Sequence, residues 1–350
     1  MNTDFPSNEL CPFGSHRVIE PPGVLPQAAW KVNNQPRCAP NEMLLSVQKL
    51  HLDAASLKQM AEQAHGDAAA VAAIIRDTVQ QRGKMHNPST NSGGVLQGHV
   101  AEIGDSFRFG QKEKVQVGDS LISLVSLSLT PLRLEQVISV DLKSGHAEVE
   151  GTATLFQSGL WAKMPEDVPQ EIALGALDVC GAPALAFRWT KPGDVALILG
   201  AGRSGLLCAG AAKKAGAQTI ILCDNNPEAV RNAGEAQIAD FVFRQNVRDA
   251  LKMRCMLQDI GPADITFSCV STPGAEMASI LNTKPEGTVC FFSMATSFGA
   301  ATLGAEGTGS PVTLLMGNGY TPGHAELALN LLRDNKLLYN AFAKCCGADQ

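Results

Sequence analysis

The chain has 350 residues, a length at which one hydrophobic core stops growing, so two domains are expected. Hydrophobic residues make up 45% and charged residues 18%, a balance that excludes a disordered chain. The net charge is −6 and no basic block is present, which argues against a nucleic-acid binder.

Residues 1–40 are rich in Pro, Gly and Asn and read as an irregular arm. The opening MNTDFPSNEL lacks the apolar centre of a secretory signal, so the expected compartment is the cytoplasm. Ten cysteines then stay reduced. They form no C-x-x-C pair, and Cys208, Cys223, Cys269 and Cys290 lie in apolar runs as small buried hydrophobes. Residues 43–50 read as a strand. Residues 54–82 carry apolar side chains at helical spacing and read as a helix broken near His65, Gly66 and Asp67. The loop HNPSTNSGG follows, then strands around 95–103 and 120–127 and a hairpin over 137–155 that turns at Lys143, Ser144, Gly145 and His146. The first half is therefore a small β-barrel or sheet with one helical insertion.

The pattern changes after Pro165. Residues 170–187 read as one helix, and strand and helix then alternate: strands at 195–199, 219–223, 240–243, 264–270 and 287–293, helices at 203–215, 227–235, 247–258 and 274–281. These strands are continuous apolar runs, as a parallel sheet covered on both faces requires. A strand at 312–316 and a helix at 323–338 close the chain. The uncharged run 287–305 is too polar for a membrane span, so no membrane partner is expected. The expected boundaries are 1–164 for the first domain and 165–350 for the second.

GAGRSG at 200–205 directly follows the strand VALIL and opens a helix. The next strand, TIILC, ends at Asp224. This is the dinucleotide fingerprint of a doubly wound Rossmann sheet. Gly200 makes the tight turn, Gly202 lets the backbone approach the pyrophosphate, and Gly205 brings helix and strand together. Arg203 and Ser204 open the helix, whose amino terminus favours phosphate. Val270 and Ser293, at the next two strand ends, complete the cofactor set. Asp224 accepts ribose hydroxyls and repels a 2′-phosphate, which points to NAD over NADP. No Arg stands next to Asp224 in sequence, and Arg231 is the nearest cation after it.

GHVAEIG at 98–104 and VQVGD at 115–119 resemble the GroES-like barrel of medium-chain dehydrogenases/reductases, and the order of barrel before dinucleotide domain fits that superfamily. Laid on its zinc-dependent branch, the chain has Asp53 at the first ligand position, Gly94 at the His position and Asp178 at the third. Two carboxylates without the His make a poor zinc site, and the four-cysteine lobe is missing, so no metal is expected. Narrower strings are similar to the L-erythro-3,5-diaminohexanoate dehydrogenase family: GSHRVIEPPGVLPQ (14–27), LVSLSLTPL (124–132), LDVCGAPA (177–184), FFSMATSF (291–298), LGAEG (303–307) and GNGYT (317–321). That resemblance implies NAD-dependent oxidative deamination of a diamino acid, a step of lysine fermentation.

A carboxylate in place of zinc suits an ammonium substrate, because a metal ion would repel it. Asp53 and Asp178 are the leading catalytic candidates, with Glu306, read as an acid in a Gly-rich loop, and His51 next. Asp53 also reads as a helix cap. Ser128 and Thr130 are candidates to orient water. Arg17 and Lys84 are candidates to hold the substrate carboxylate. A zinc-free quinone or enoyl reductase is the alternative enzyme, and a dinucleotide-bound sensor is the non-enzymatic one. A homo-oligomer is the default by analogy with the superfamily.

Overall fold

The computed structural model describes residues 11–108, 114–317 and 320–347. The first ten residues of the arm, including the stretch read for a signal, and residues 318–319 of the string GNGYT lie outside it. The chain divides after Gln170 into two compact units.

In the first unit, β1 (Val18–Glu20) and β2 (Lys31–Val32) pair as a short antiparallel ribbon. The main sheet is antiparallel and six-stranded. It comprises β3 (Glu42–His51), β4 (Val95–Ile103), β5 (Ser120–Ser123), β6 (Leu132–Val140), β7 (His146–Phe156) and β8 (Trp161–Lys163), in the order β6-β7-β3-β4-β5-β8. Register shifts between Leu44 and Leu45, Val47 and Lys49, and Leu134 and Gln136 bend it into a barrel-like surface. Its central strand β3 is buried at eight of ten positions.

The insertion between β3 and β4 is a helix pair, α1 (Ala54–Gln63) and α2 (Ala68–Arg82). His65 and Gly66 take positive φ to reverse the chain, and Asp67 caps α2 by accepting from the Ala69 amide at 2.9 Å. Met60, Val71, Ile75 and Val79 then join Met43, Leu45 and Leu50 in one core. Gly83, at φ 72°, stops α2, and a Cβ there would sit 2.1 Å from the Val32 carbonyl oxygen.

The second unit is a six-stranded parallel sheet. Its strands are β9 (Val195–Leu199), β10 (Thr219–Asp224), β11 (Phe241–Arg244), β12 (Ala263–Ser268), β13 (Thr283–Phe291) and β14 (Thr313–Met316), in the order β11-β10-β9-β12-β13-β14. The chain starts at β9, builds outward to β11, and returns to the other side of β9 with β12. This reversal opens a crevice at the carboxyl ends of β9 and β12. The connecting helices are α5 (Arg203–Ala215), α6 (Pro227–Ala236), α7 (Ala250–Met256) and α8 (Glu276–Leu281).

Three sequence readings are corrected here. The single helix over 170–187 is two, α3 (Gln170–Asp178) and α4 (Gly181–Trp189), bent by 54°. Pro183 cannot donate to the carbonyl of Val179, and its ring crowds that carbonyl, so the helix breaks one turn earlier. Among the described residues no single helix is long and apolar enough to cross a membrane. The Gly-rich stretch containing Glu306 is a helix, α9 (Phe298–Thr308), not a loop. Ser297 caps it, and Gly304 serves close packing, since a Cβ there would lie 2.3 Å from the Met277 sulfur. Finally, the C-terminal helix is a pair, α10 (His324–Asp334) and α11 (Lys336–Cys345), because the Asn335 side chain accepts from the amides of Leu337 and Leu338 and starts a new helix.

Candidate functional site

The glycine loop of the second unit is held from both sides. The Gly200 amide donates to the Cys223 carbonyl at 2.7 Å. Gly200 has φ +103°, and a Cβ there would press on Val270 and Cys269 at the end of β12. A Cβ on Gly205 would fall 1.7 Å from the Gly200 carbonyl oxygen, so only glycine lets α5 start this close to β9. Gly202 is the opposite case: a Cβ there would meet nothing within 4 Å. Gly202 caps α5 without a side-chain acceptor, so the first-turn amides face open space with the positive end of a 13-residue helix behind them. This cradle fits a pyrophosphate.

Asp224 ends β10. Its Oδ2 accepts from the Ala201 amide at 2.7 Å and its Oδ1 from the Asn226 amide at 2.8 Å. A carboxylate has about four acceptor sites, so two remain for ribose hydroxyls. Beside it lies a cavity of about 260 Å³, lined by Asp224, Asn225, Asn246, Val247, Arg248, Val270 and Thr272. The residues therefore fit a dinucleotide, with the adenosine end in this cavity. Arg203 is mostly buried, and its Nη2 lies 3.9 Å from Asp178 Oδ2. The Ser293 Oγ accepts from the Ala295 amide at 3.2 Å in the turn after β13.

Two further residues stand at the candidate cofactor site without a local sequence signal. Arg244 is the register partner of Asp224 on β11, and its Nε donates to the Asn225 carbonyl at 3.3 Å. Arg248 lines the cavity. Both lie about 20 residues downstream in sequence, and only the pairing of β10 with β11 brings them to the ribose end.

The site of the first unit is assembled where β3 runs into α1. Asp53 caps α1, its Oδ1 accepting from the Ser56 amide at 2.9 Å. Its Oδ2 is buried and has no hydrogen-bond partner among the described residues. A Cβ on Gly94 would lie 1.9 Å from the His51 carbonyl oxygen and 2.9 Å from the Asp53 amide, and the backbone there has φ +85°. No side chain fits at position 94 of this backbone, so the place that the zinc-dependent branch gives to a His holds no imidazole here. Gly93 packs as tightly: a Cβ there would sit 2.1 Å from the Met85 carbonyl oxygen and 3.1 Å from the Ser128 amide. The Leu127 amide donates to the Gly94 carbonyl at 2.9 Å. Loops 83–94 and 124–131 thus converge on the Asp53 end of α1. Ser56 Oγ and Thr90 Oγ1 share a hydrogen bond at 2.6 Å, and Ser126 and Ser128 share one at 2.9 Å.

The other candidates separate. His51 is buried on β3, its ring 4.8 Å from that of His146. Glu306 is exposed on α9. Thr130 is buried and donates to the Ser126 carbonyl. Arg17 is not available to a substrate carboxylate. Its guanidinium is buried against Glu42, with Nε to Oε1 at 2.8 Å and Nη2 to Oε2 at 2.5 Å, and its remaining donors serve the carbonyls of Gln35 and Arg37. Burial alone would raise the Glu42 pKa, but the hydrogen bonds from Arg17 and His16 hold it at about 2. Lys84 is fully buried and donates to the Pro26 carbonyl at 2.6 Å. Burial, reinforced by Arg82, lowers its pKa to about 8. Burial, with Arg82 and Lys84, takes His86 down to about 4. The buried thiols of Cys180, Cys223 and Cys290 are raised to about 12, chiefly by burial, and so are inert, whereas Cys269, expected to be buried, is only half-buried because it follows the end of β12. Among the described residues no three His, Cys, Asp or Glu side chains cluster as a metal site.

Residues 16–165 match the family model described as the L-erythro-3,5-diaminohexanoate dehydrogenase N-terminal domain. The L-erythro-3,5-diaminohexanoate dehydrogenase of Acetoanaerobium sticklandii is 43% identical over 340 residues, covering 95% of this chain and 98% of that one. The enzyme of the same name from Fusobacterium nucleatum is 43% identical over 343 residues, covering 95% and 97%. Solved structures share the fold at low identity. An alcohol dehydrogenase from Thermotoga maritima has a TM-score of 0.54 at 15% identity, covering 87% of this chain and 86% of that one. A mycobacterial structure complexed with NADPH has 0.53 at 19%, covering 89% and 84%. The fold is that of the medium-chain dehydrogenases, and identity along nearly the whole of both relatives shows that the chain belongs to the L-erythro-3,5-diaminohexanoate dehydrogenase family.

Proposed function

We propose that this chain oxidises L-erythro-3,5-diaminohexanoate with NAD, giving 5-amino-3-oxohexanoate, ammonia and NADH. The observation that carries the chemistry is the buried Oδ2 of Asp53, without a partner among the described residues, beside a glycine that admits no ligand side chain. Bound at the glycine loop, the nicotinamide supplies the hydride acceptor. Gly202 and the first turn of α5 hold the pyrophosphate, and Asp224 holds the adenosine ribose. The C3 ammonium must lose one proton before its hydride can leave, and an iminium then forms at C3. Asp53 Oδ2 binds the ammonium, accepts that proton and steadies the cationic iminium electrostatically. Water adds to C3, the C–N bond breaks, and nitrogen leaves as ammonia, which is protonated at neutral pH. The net change takes up one water and releases one proton, one ammonium and one NADH. Asp178 lies in the second unit, and its pairing with Arg203 at the head of α5 gives it a share in orienting the phosphate loop.

Asp224 supports NAD as the nucleotide, although Arg244 and Arg248 stand near enough to weaken its rejection of a 2′-phosphate. The proposal extends to a place in lysine degradation, a cytoplasmic location in keeping with ten free thiols, and a homo-oligomer. The deciding assay offers the purified protein NAD with 3,5-diaminohexanoate, 3,6-diaminohexanoate and a simple alcohol, and NADPH with a quinone. Equal yields of NADH and ammonia from the 3,5-isomer are expected. Turnover of the quinone alone would replace this reading with that of a reductase.

A further inference from the structure

Two of the ten cysteines, far apart in sequence, meet in the second unit. The sulfurs of Cys208 and Cys269 lie 3.7 Å apart. Cys208 stands in the second turn of α5 and is buried. Cys269 follows the end of β12 and is only half-buried, next to Val270 of the cofactor cavity. The two thiols differ as a reactive pair requires. Burial, and then the hydrogen bond with Cys269, push the Cys208 thiol well above its ordinary pKa, which makes it a poor direct target for an oxidant. Cys269 is the one that solvent reaches. It also packs on the glycine loop. Its amide donates to the Leu199 carbonyl at 2.8 Å, and a Cβ on Gly200 would lie 3.3 Å from its carbonyl oxygen. From the other side, Gly205 of α5 meets Gly200 with no room for a Cβ. The loop is thus clamped between the two segments that carry the thiols.

We propose that Cys208 and Cys269 form a peroxide-sensitive dithiol whose oxidation closes the dinucleotide site. The proposal rests on the glycine loop being that site and adds its regulation. In the first step the Cys269 sulfur attacks one oxygen of hydrogen peroxide. The O–O bond breaks, Cys269 becomes a sulfenic acid, and the other oxygen leaves as water. In the second step the Cys208 sulfur attacks the Cys269 sulfur. The S–O bond breaks, and the Cys208 proton leaves with the hydroxyl as a second water. The two thiols lose two hydrogens and two electrons, and one peroxide is reduced. A disulfide needs about 2.05 Å between its sulfurs, so the pair must close by about 1.7 Å. A close-packed interior cannot absorb that shift locally. Helix α5 is drawn toward the end of β12, Gly205 presses on Gly200, and the first-turn amides of α5 lose their aim at the pyrophosphate. Linkage is reciprocal, so bound NAD disfavours the bond.

The test treats the reduced full-length protein with hydrogen peroxide, with and without saturating NAD. NAD affinity is read by fluorescence titration and covalent state by mass. Without NAD, the chain should lose two hydrogens, and peptide mapping with two proteases should find Cys208 joined to Cys269. NAD affinity should fall roughly tenfold or more and recover in dithiothreitol. Saturating NAD during the treatment should reduce the yield of the bond. Reduced Cys208→Ala and Cys269→Ala should bind NAD as the wild type does and keep that affinity in peroxide, whereas Cys290→Ala should respond like the wild type. A bond between other cysteines, no bond at all, a yield indifferent to NAD, a joined protein that binds NAD unchanged, or a loss of affinity that persists in the Cys208→Ala and Cys269→Ala proteins would each overturn the proposal. Should Cys208→Ala fail to fold, Cys269→Ala and the mapping of the wild type decide in the same way. A reduced wild type that binds no NAD defeats the reading of the glycine loop itself, a result distinct from binding that peroxide leaves unchanged, and takes this proposal with it.

Discussion

In the second unit, the residues proposed to meet the dinucleotide lie at or just after the carboxyl ends of parallel strands, and one rule of sheet topology collects them. In the first unit, the residues around Asp53 come from the end of β3, the loop 83–94 and the turn 124–131, and no rule of strand order collects them. Close glycine contacts do. Gly205 joins α5 to β9 through a contact that any Cβ would break, and Gly94 joins its loop to β3 in the same way. The difference is what the contact leaves behind. At Gly202 it leaves open space before the first turn of α5, and at Asp53 a buried carboxylate oxygen with no hydrogen-bond partner among the described residues.

The two units should part most clearly at those glycines. Gly205→Ala and Gly94→Ala should each destabilise their own unit by about 3 kcal/mol or more, through overpacking and, at position 94, a strained positive φ. Their signatures should differ. Gly205→Ala should abolish dinucleotide binding, whereas Gly94→Ala should spare it and lose turnover. Calorimetry with a parallel NAD titration reads both, and a Gly94→Ala protein of full activity would break the account of the first unit.

Next in size is an acid response belonging to the first unit. Glu42 has a folded-state pKa of about 2 against an ordinary 4.5, held down by Arg17 and His16 against the opposing effect of burial. A depressed carboxylate stabilises the fold above its unfolded pKa, and that contribution drains away as pH falls from about 4.5 toward 2. It amounts to on the order of 3 kcal/mol. Denaturant titrations at pH 7, 4 and 2.5 should show the loss in the wild type and a flatter, lower profile in Glu42→Gln.

The smallest effect is expected at Asp224. Asp224→Asn keeps an acceptor oxygen but removes the charge, so the ratio of NAD to NADP affinity should fall by roughly tenfold, equivalent to about 1.4 kcal/mol. An unchanged ratio would assign the preference to something other than this carboxylate.

These effects also show how much could be read before the fold was known. The alternation after Pro165, GAGRSG and Asp224 are local signals, and the parallel sheet carries them without change. Arg244 was hidden because its closeness to Asp224 is a cross-strand fact. Three glycines within eleven residues give the Glu306 stretch the look of a loop, although Ser297 and Gly309 cap a helix there. In the first unit Asp53 was legible as a cap, but its unpartnered oxygen was not. Arg17 and Lys84 looked interchangeable in sequence. Glu42, 25 residues from Arg17, separates them: Arg17 has its anion, and Lys84 meets only a backbone carbonyl among the described residues.

The most direct measurement of the central claim is the turnover of Asp53→Asn beside wild type, both exhaustively chelated, with NAD affinity and melting temperature followed in parallel. Asparagine retains the capping oxygen and removes only the charge. The account predicts that chelation leaves the wild type active, that NAD affinity and melting hold in the variant, and that its kcat for 3,5-diaminohexanoate falls roughly 10²–10³-fold. Wild-type activity lost on chelation and restored by zinc, or an Asp53→Asn protein that turns over at the wild-type rate, would contradict it.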